Sequence, residues 1–221
     1  MNDEFFTKRI SETKTEIFPL DRLLPLESIY VIFEQEYKKL EEKSVFFRDR
    51  RFQRLREGYF SMFVAIYLQD INGKVPYLVF PSKPSNDVYI AYRMNDYEEQ
   101  VLKLKAHEFD IKEFTDYSSS FDKFVLEKII PKIDIYNIVI STYRKIDAND
   151  IKPLIDYLQY KNLATEIWIL GAPTEIKQDY NISNVTVINK NGIVYDKIIN
   201  LTDWIDKNKQ PIVFQDVIHF K

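Results

Sequence analysis

What most constrains this chain is a series of short apolar runs whose spacing changes partway along. "VPYLVF", "DVYIAY" and "HEFDIKEF" follow one another between residues 75 and 114 without a long helical pattern between them. "IYNIVIST", "EIWILGA" and "VTVI" come next, separated by the helical patterns "FDKFVLEKII" and "NDIKPLIDYLQY". Strands joined without a long helix pair antiparallel, whereas a helix between strands is the mark of a parallel crossover. The expected fold is therefore mixed α/β, a central mixed sheet flanked by helices.

Before the first run, Ile29, Tyr30, Phe33, Tyr37 and Leu40 fall at helical spacing. A second helix is expected to run through "RDRRFQRLREGYF" to about Leu68, buried over 59–68 because that half is apolar almost all round. Asn72-Gly73 ends it, and Pro131 is expected to stop "FDKFVLEKII". Asn191-Gly192 predicts a hairpin. "LTDWIDK" predicts a short helix capped by Thr202 or Asp203, and "PIVFQDVIHF" a last strand. Residues 1–20 read as an N-terminal arm and 21–221 as a single domain.

Composition narrows the chemistry. The four scattered glycines write neither a dinucleotide-binding nor a P-loop motif. There is no Cys, and His107 and His219 are the only histidines, so thiolate and multi-His metal centres are excluded. A metal here would be held by oxygen, which favours Mg²⁺ or Mn²⁺. There is no signal-peptide pattern and no membrane-length apolar run, so the expected protein is soluble, intracellular and cytoplasmic, without a membrane partner.

One strand stands apart. In "HEFDIKEF", Phe109 and Ile111 alternate with Glu108, Asp110 and Lys112. A strand inside a buried sheet does not ordinarily carry an acid and a lysine together on one face. Asp110 and Lys112 are two positions apart, about 6.5–7 Å along the strand, and Asp87 opens the strand before. If those strands are neighbours, about 4.8 Å apart, two carboxylates and an ammonium converge. The pattern [DE]-x-K also begins at Glu12, Glu36, Glu41, Asp150 and Glu175, but only at Asp110 does it lie inside an alternating strand with an acid-led strand upstream.

An acid at one strand mouth followed by Asp110-Ile111-Lys112 in the next resembles the PD-(D/E)XK nuclease superfamily, which has the restriction-endonuclease-like fold. The order helix–strand–strand–strand–helix–strand over 48–141 is similar to that family's core. The resemblance implies that Asp87, Asp110 and the Ile111 carbonyl bind Mg²⁺ and that Lys112 orients or activates the attacking water. It implies a further acid from the first core helix, for which Glu57 is the best match. Asn86 stands where the family has Pro, and Glu57 precedes the glycine that members place before their acid. The implied activity is Mg²⁺-dependent hydrolysis of phosphodiester bonds in duplex or branched DNA, by a two-fold homodimer if both strands of a duplex are cut.

The flanks bear on the same partner. Arg48, Arg50, Arg51, Arg54 and Arg56 form a dense run, with Arg48 and Arg51 expected on one helical stripe, suited to phosphates or to neighbouring acids such as Asp49. "TDYSSSF" offers hydroxyls for a phosphate backbone or, through Ser119 or Ser120, a helix cap. The competing reading is a non-catalytic nucleic-acid-binding or assembly protein on the same fold, using the Arg48–Arg56 surface. A third makes Asp87, Asp110 and Lys112 a coincidence on an unrelated α/β protein.

Overall fold

A computed structural model describes residues 24–80, 88–94, 103–115, 120–134, 137–142, 144–172 and 180–208. The N-terminal arm, Asp87, Ser119, His219 and the C-terminal segment expected as a last strand lie outside the described residues.

The described strands form one open eight-stranded sheet in chain order: β1 (Leu24–Pro25), β2 (Pro76–Val79), β3 (Val88–Met94), β4 (Lys103–Phe114), β5 (Asn137–Thr142), β6 (Ile167–Gly171), β7 (Ile182–Asn189) and β8 (Gly192–Asn200). β1 to β4 pair antiparallel, β4 to β6 parallel, and β6 to β8 antiparallel again. The mixed sheet is thus the one that the change in spacing predicts.

The helices are α1 (Leu26–Lys39), α2 (Ser44–Arg48), α3 (Gln53–Asn72), α4 (Phe121–Phe124, continuing as a π turn over Val125–Ile129 and a 3₁₀ turn over Ile130–Lys132), α5 (Ala148–Tyr160) and α6 (Leu201–Lys207). Successive right-handed crossovers in one direction along a sheet place their helices on one face. α4 and α5, the two crossovers, accordingly share a core with Phe114, Ile138, Ile140, Ile167 and Ile169. α1, α2, α3 and α6 pack on the other face, against Phe109, Ile111, Val139 and Trp168.

α3 is the central helix of that second layer. It is buried continuously from Leu55 to Leu68, as its all-round apolar half predicts. Gly58 allows it to approach its neighbours, since a Cβ there would meet the Phe80 ring at 2.8 Å and Ile29 at 3.3 Å. Gly73, at φ +69°, closes the helix in the left-handed conformation that glycine adopts without steric cost.

Two local expectations are corrected and a third holds. The basic stretch is not one helix. Asp49 is extended, and its carboxylate accepts from the Arg51 backbone N–H at 2.8 Å, so α2 ends, a 3₁₀ turn (Arg50–Phe52) follows, and α3 starts anew. Arg48 and Arg51 therefore share no continuous helical stripe. The helix does end at Pro131, as expected: the π turn closes at Ile129, and the proline sits in a final 3₁₀ turn over Ile130–Lys132, near whose start a missing N–H is tolerated. The cap of α6 is Asn200, whose side chain accepts from Thr202 and Asp203 N–H at 3.0 and 3.3 Å.

Candidate functional site

β4 is a central strand, antiparallel to β3 and parallel to β5, with Asp110 beside Ile138 and Lys112 beside Ile140. Strand alternation turns Asp110, Lys112 and Phe114 toward α4 and α5, and Phe109, Ile111 and Glu113 toward α3. The contacts agree, because the Phe114 ring packs on Phe121 and Phe124 of α4. The Glu113 carboxylate meets Arg56 of α3.

Asp110 is only 8% exposed. An unpaired carboxylate at that depth would cost several kcal/mol, so it must be paired. Lys112, on the same strand, donates to Oδ1, and Lys132 Nζ donates to Oδ2 at 3.0 Å. Lys132 comes from the last turn of α4, so the whole crossover helix must dock before it can reach the acid. Sequence reading missed Lys132; nothing local marks it, since what matters is where the helix returns to the sheet.

Beyond Lys112, at the C-terminal end of β4, opens a cleft of about 410 Å³ between Thr115 and the Lys123, Phe124 and Lys128 side of α4. Ser120 caps this helix, accepting from Lys123 N–H at 3.2 Å, in agreement with one of the two caps read from the sequence.

The other expected site residues are distributed differently. Asp87 lies outside the described residues; Val88, which it precedes in the chain, pairs with Phe109, which precedes Asp110. Glu57 is buried on α3, in the helical layer across the sheet from Asp110 and Lys112. Gln53 Nε2 donates to it at 2.9 Å, and Arg54 lies 3.9 Å away. His107 lies on the α3 face, near the Tyr92 ring, opposite to Asp110 as alternation predicts.

The five arginines have separate fates. Arg48 and Arg50 are exposed. Arg51 makes a two-pronged bond to Asp49, which holds the Asp49 carboxyl below the usual carboxylate range. Arg54 lies over the Phe80 ring. Arg56 is buried: it donates to Glu113 at 2.9 and 3.2 Å and to the Phe46 and Asp49 carbonyls at 2.9 and 2.7 Å. Its guanidinium ties α2, the 3₁₀ turn, α3 and β4 together.

Among the described residues no group of three or more carboxylates or histidines stands ready to hold a metal. The described donors at β4 are the Asp110 carboxylate and the Ile111 carbonyl. Mg²⁺ keeps several waters and takes only one or two carboxylates from a protein, so these oxygens would supply part of its shell, with a lysine leaving Asp110 as the ion enters. Among the described residues no helix is long and apolar enough to cross a membrane.

The fold thus defines a mixed α/β protein, with helices on both faces of an open eight-stranded sheet and a buried, lysine-bridged aspartate on its central strand. No family model matches the chain, and neither curated proteins nor solved structures provide a match to it.

Proposed function

We propose that this protein is a Mg²⁺-dependent nuclease of the restriction-endonuclease-like fold that hydrolyses phosphodiester bonds in DNA. The observation that carries the reading is the buried Asp110 with Lys112 two positions on, on one face of the third strand after α3. The order α3, β2, β3, β4, α4, β5 is the one that the resemblance leads one to expect. In this reading Asp87, Asp110 and the Ile111 carbonyl hold the ion, and Glu57 remains an acid of the opposite layer. A bound Mg²⁺ would supply a water of lowered pKa and neutralise charge on the phosphate. Lys112 would hold the attacking water and offset charge growing on the phosphoryl oxygens. Lys132 would keep the carboxylate aimed until the ion replaces one of its contacts.

A second reading has its own observation: both oxygens of Asp110 already carry an ammonium partner. A chain that binds DNA without cutting it would keep such a bridge permanently. Nicking of labelled plasmid and of branched DNA in Mg²⁺ or Mn²⁺, with EDTA controls and Asp110→Ala, separates the two. Metal-dependent nicking lost in the variant supports the nuclease; DNA binding with no nicking by either protein supports the binding module.

A further inference from the structure

We infer that the DNA backbone lies along α4, with Lys123 and Lys128 as its phosphate contacts, rather than along the arginine-rich stretch. The inference rests on the nuclease reading for its substrate class and on the position of the cleft for the surface.

Lys112 is common to both places: it bridges Asp110 and lines the cleft of about 410 Å³. The opposite wall is α4, from which Lys123, Phe124 and Lys128 reach the cleft, and the same helix ends in Lys132 on Asp110. One helix therefore runs from the cleft to the buried acid. A scissile phosphate beside Asp110 would have its neighbours over α4. Lys123 and Lys128 are five residues apart on this one helix and both line the cleft, so a single extended phosphate backbone can meet both.

The charge balance favours an anion there. Glu113 on the cleft wall is engaged by Arg56. Glu127, the second acid on the cleft wall, lies 3.9 Å from Lys123 with both side chains mostly exposed, a pairing that water largely screens and that leaves the three lysines of the wall in excess over its two acids. Asp122 is exposed in the first turn of α4. Lys128 is exposed and, among the described residues, makes no ion pair. Thr115 at the strand end adds a hydroxyl and Phe124 an apolar wall. The π turn over Val125–Ile129 starts two residues after Lys123 and includes Lys128; such turns widen a helix locally and occur frequently at functional sites.

By contrast, the arginine stretch belongs to the α2–α3 layer, across the sheet from Asp110. Arg56 is buried there and Arg51 is held by Asp49. Arg48 and Arg50 remain exposed and are the natural control.

The test is fluorescence anisotropy of a labelled DNA duplex in EDTA, over a salt series, for the wild type, K123A/K128A and R48A/R50A. Plasmid nicking by the wild type in Mg²⁺ runs in parallel. All four substituted side chains are exposed, so the variants should fold, as circular dichroism will check. K123A/K128A is expected to bind about tenfold weaker or worse, with a salt slope shallower by about 1.8, the amount for two lost phosphate contacts at about 0.9 each. R48A/R50A should bind as the wild type does. A K123A/K128A protein with unchanged affinity and slope overturns the inference, as does loss confined to R48A/R50A, or a wild type that does not bind the duplex. Nicking by the wild type judges the nuclease reading separately, so binding that depends on the lysines without nicking would refute that reading and keep this surface.

Discussion

Arg56 reaches across from α3 to Glu113 on β4, its Nε–H shared between the two carboxylate oxygens at 2.9 and 3.2 Å, a contact between residues 57 apart in the chain. Both side chains are largely buried, and the same guanidinium closes the Phe46 and Asp49 carbonyls. Breaking a buried pair leaves a charge without its partner, at a cost of about 3–5 kcal/mol. Arg56→Ala is expected to lower unfolding stability by that amount in urea titrations, and Arg56→Lys to recover little, since an ammonium cannot fork to the same acceptors. A loss below about 1 kcal/mol would mean that the contact is incidental.

Asp110 and Lys112 should separate in kinetics. Asp110→Asn removes the charge that would hold the ion, and metal-dependent nicking should disappear while circular dichroism stays native. Lys112→Ala should slow single-turnover nicking about 10²–10³-fold, the usual cost of removing one group that stabilises developing charge. Equal rates for wild type and Lys112→Ala would remove the lysine from the chemistry.

Glu166 supplies a pH dependence unconnected with the site. It is 7% exposed, and burial raises its carboxyl above the usual 4.5, with the Tyr67 hydroxyl offsetting part of that. The folded protein holds this proton more tightly than the unfolded chain. Its contribution is thus fully present below about pH 4.5 and is lost as pH rises through the folded value. Glu27 is shifted in the same direction, again by burial. Glu166→Gln should flatten the fall in stability above pH 4.5 and exceed the wild type near neutrality, as read from urea midpoints. Parallel curves for the two proteins would show that Glu166 titrates as it does in water.

The cap of α6 gives a small, clean measurement. Asn200 accepts from two N–H groups at the start of that helix, and Asn200→Ala should cost about 1 kcal/mol. Asp203→Ala should stay within about 0.5 kcal/mol, because that side chain is not the cap. The reverse ranking would restore the cap read from the sequence.

Much of this architecture is legible in one dimension because its causes are local. Alternation in "HEFDIKEF" places Asp110 and Lys112 together and Ile111 opposite, whatever the strand's neighbours are. Strand spacing likewise determines which pairs run antiparallel and which parallel. Asn200 was missed because Thr202 and Asp203 are equally good cap residues, and only the backbone shows where the helix begins. The arginine run misled for a related reason: five similar side chains in nine positions say nothing about which one is buried. Arg56 faces the sheet and Arg48 the solvent only because Asp49 breaks the helix between them.

By itself, then, the sequence determined the element order, the mixed sheet, the buried helix and the face shared by Asp110 and Lys112, since periodicity and turn chemistry act over a few residues. The tertiary structure alone decided that Lys132 would join Asp110, that Arg56 would be spent on Glu113, and that Glu57 would lie in the other layer. Those pairings span 22 and 57 residues in two of the three cases. Which charge meets which at that range is set by the docking of whole helices on the sheet, where burial leaves each carboxylate no water to fall back on.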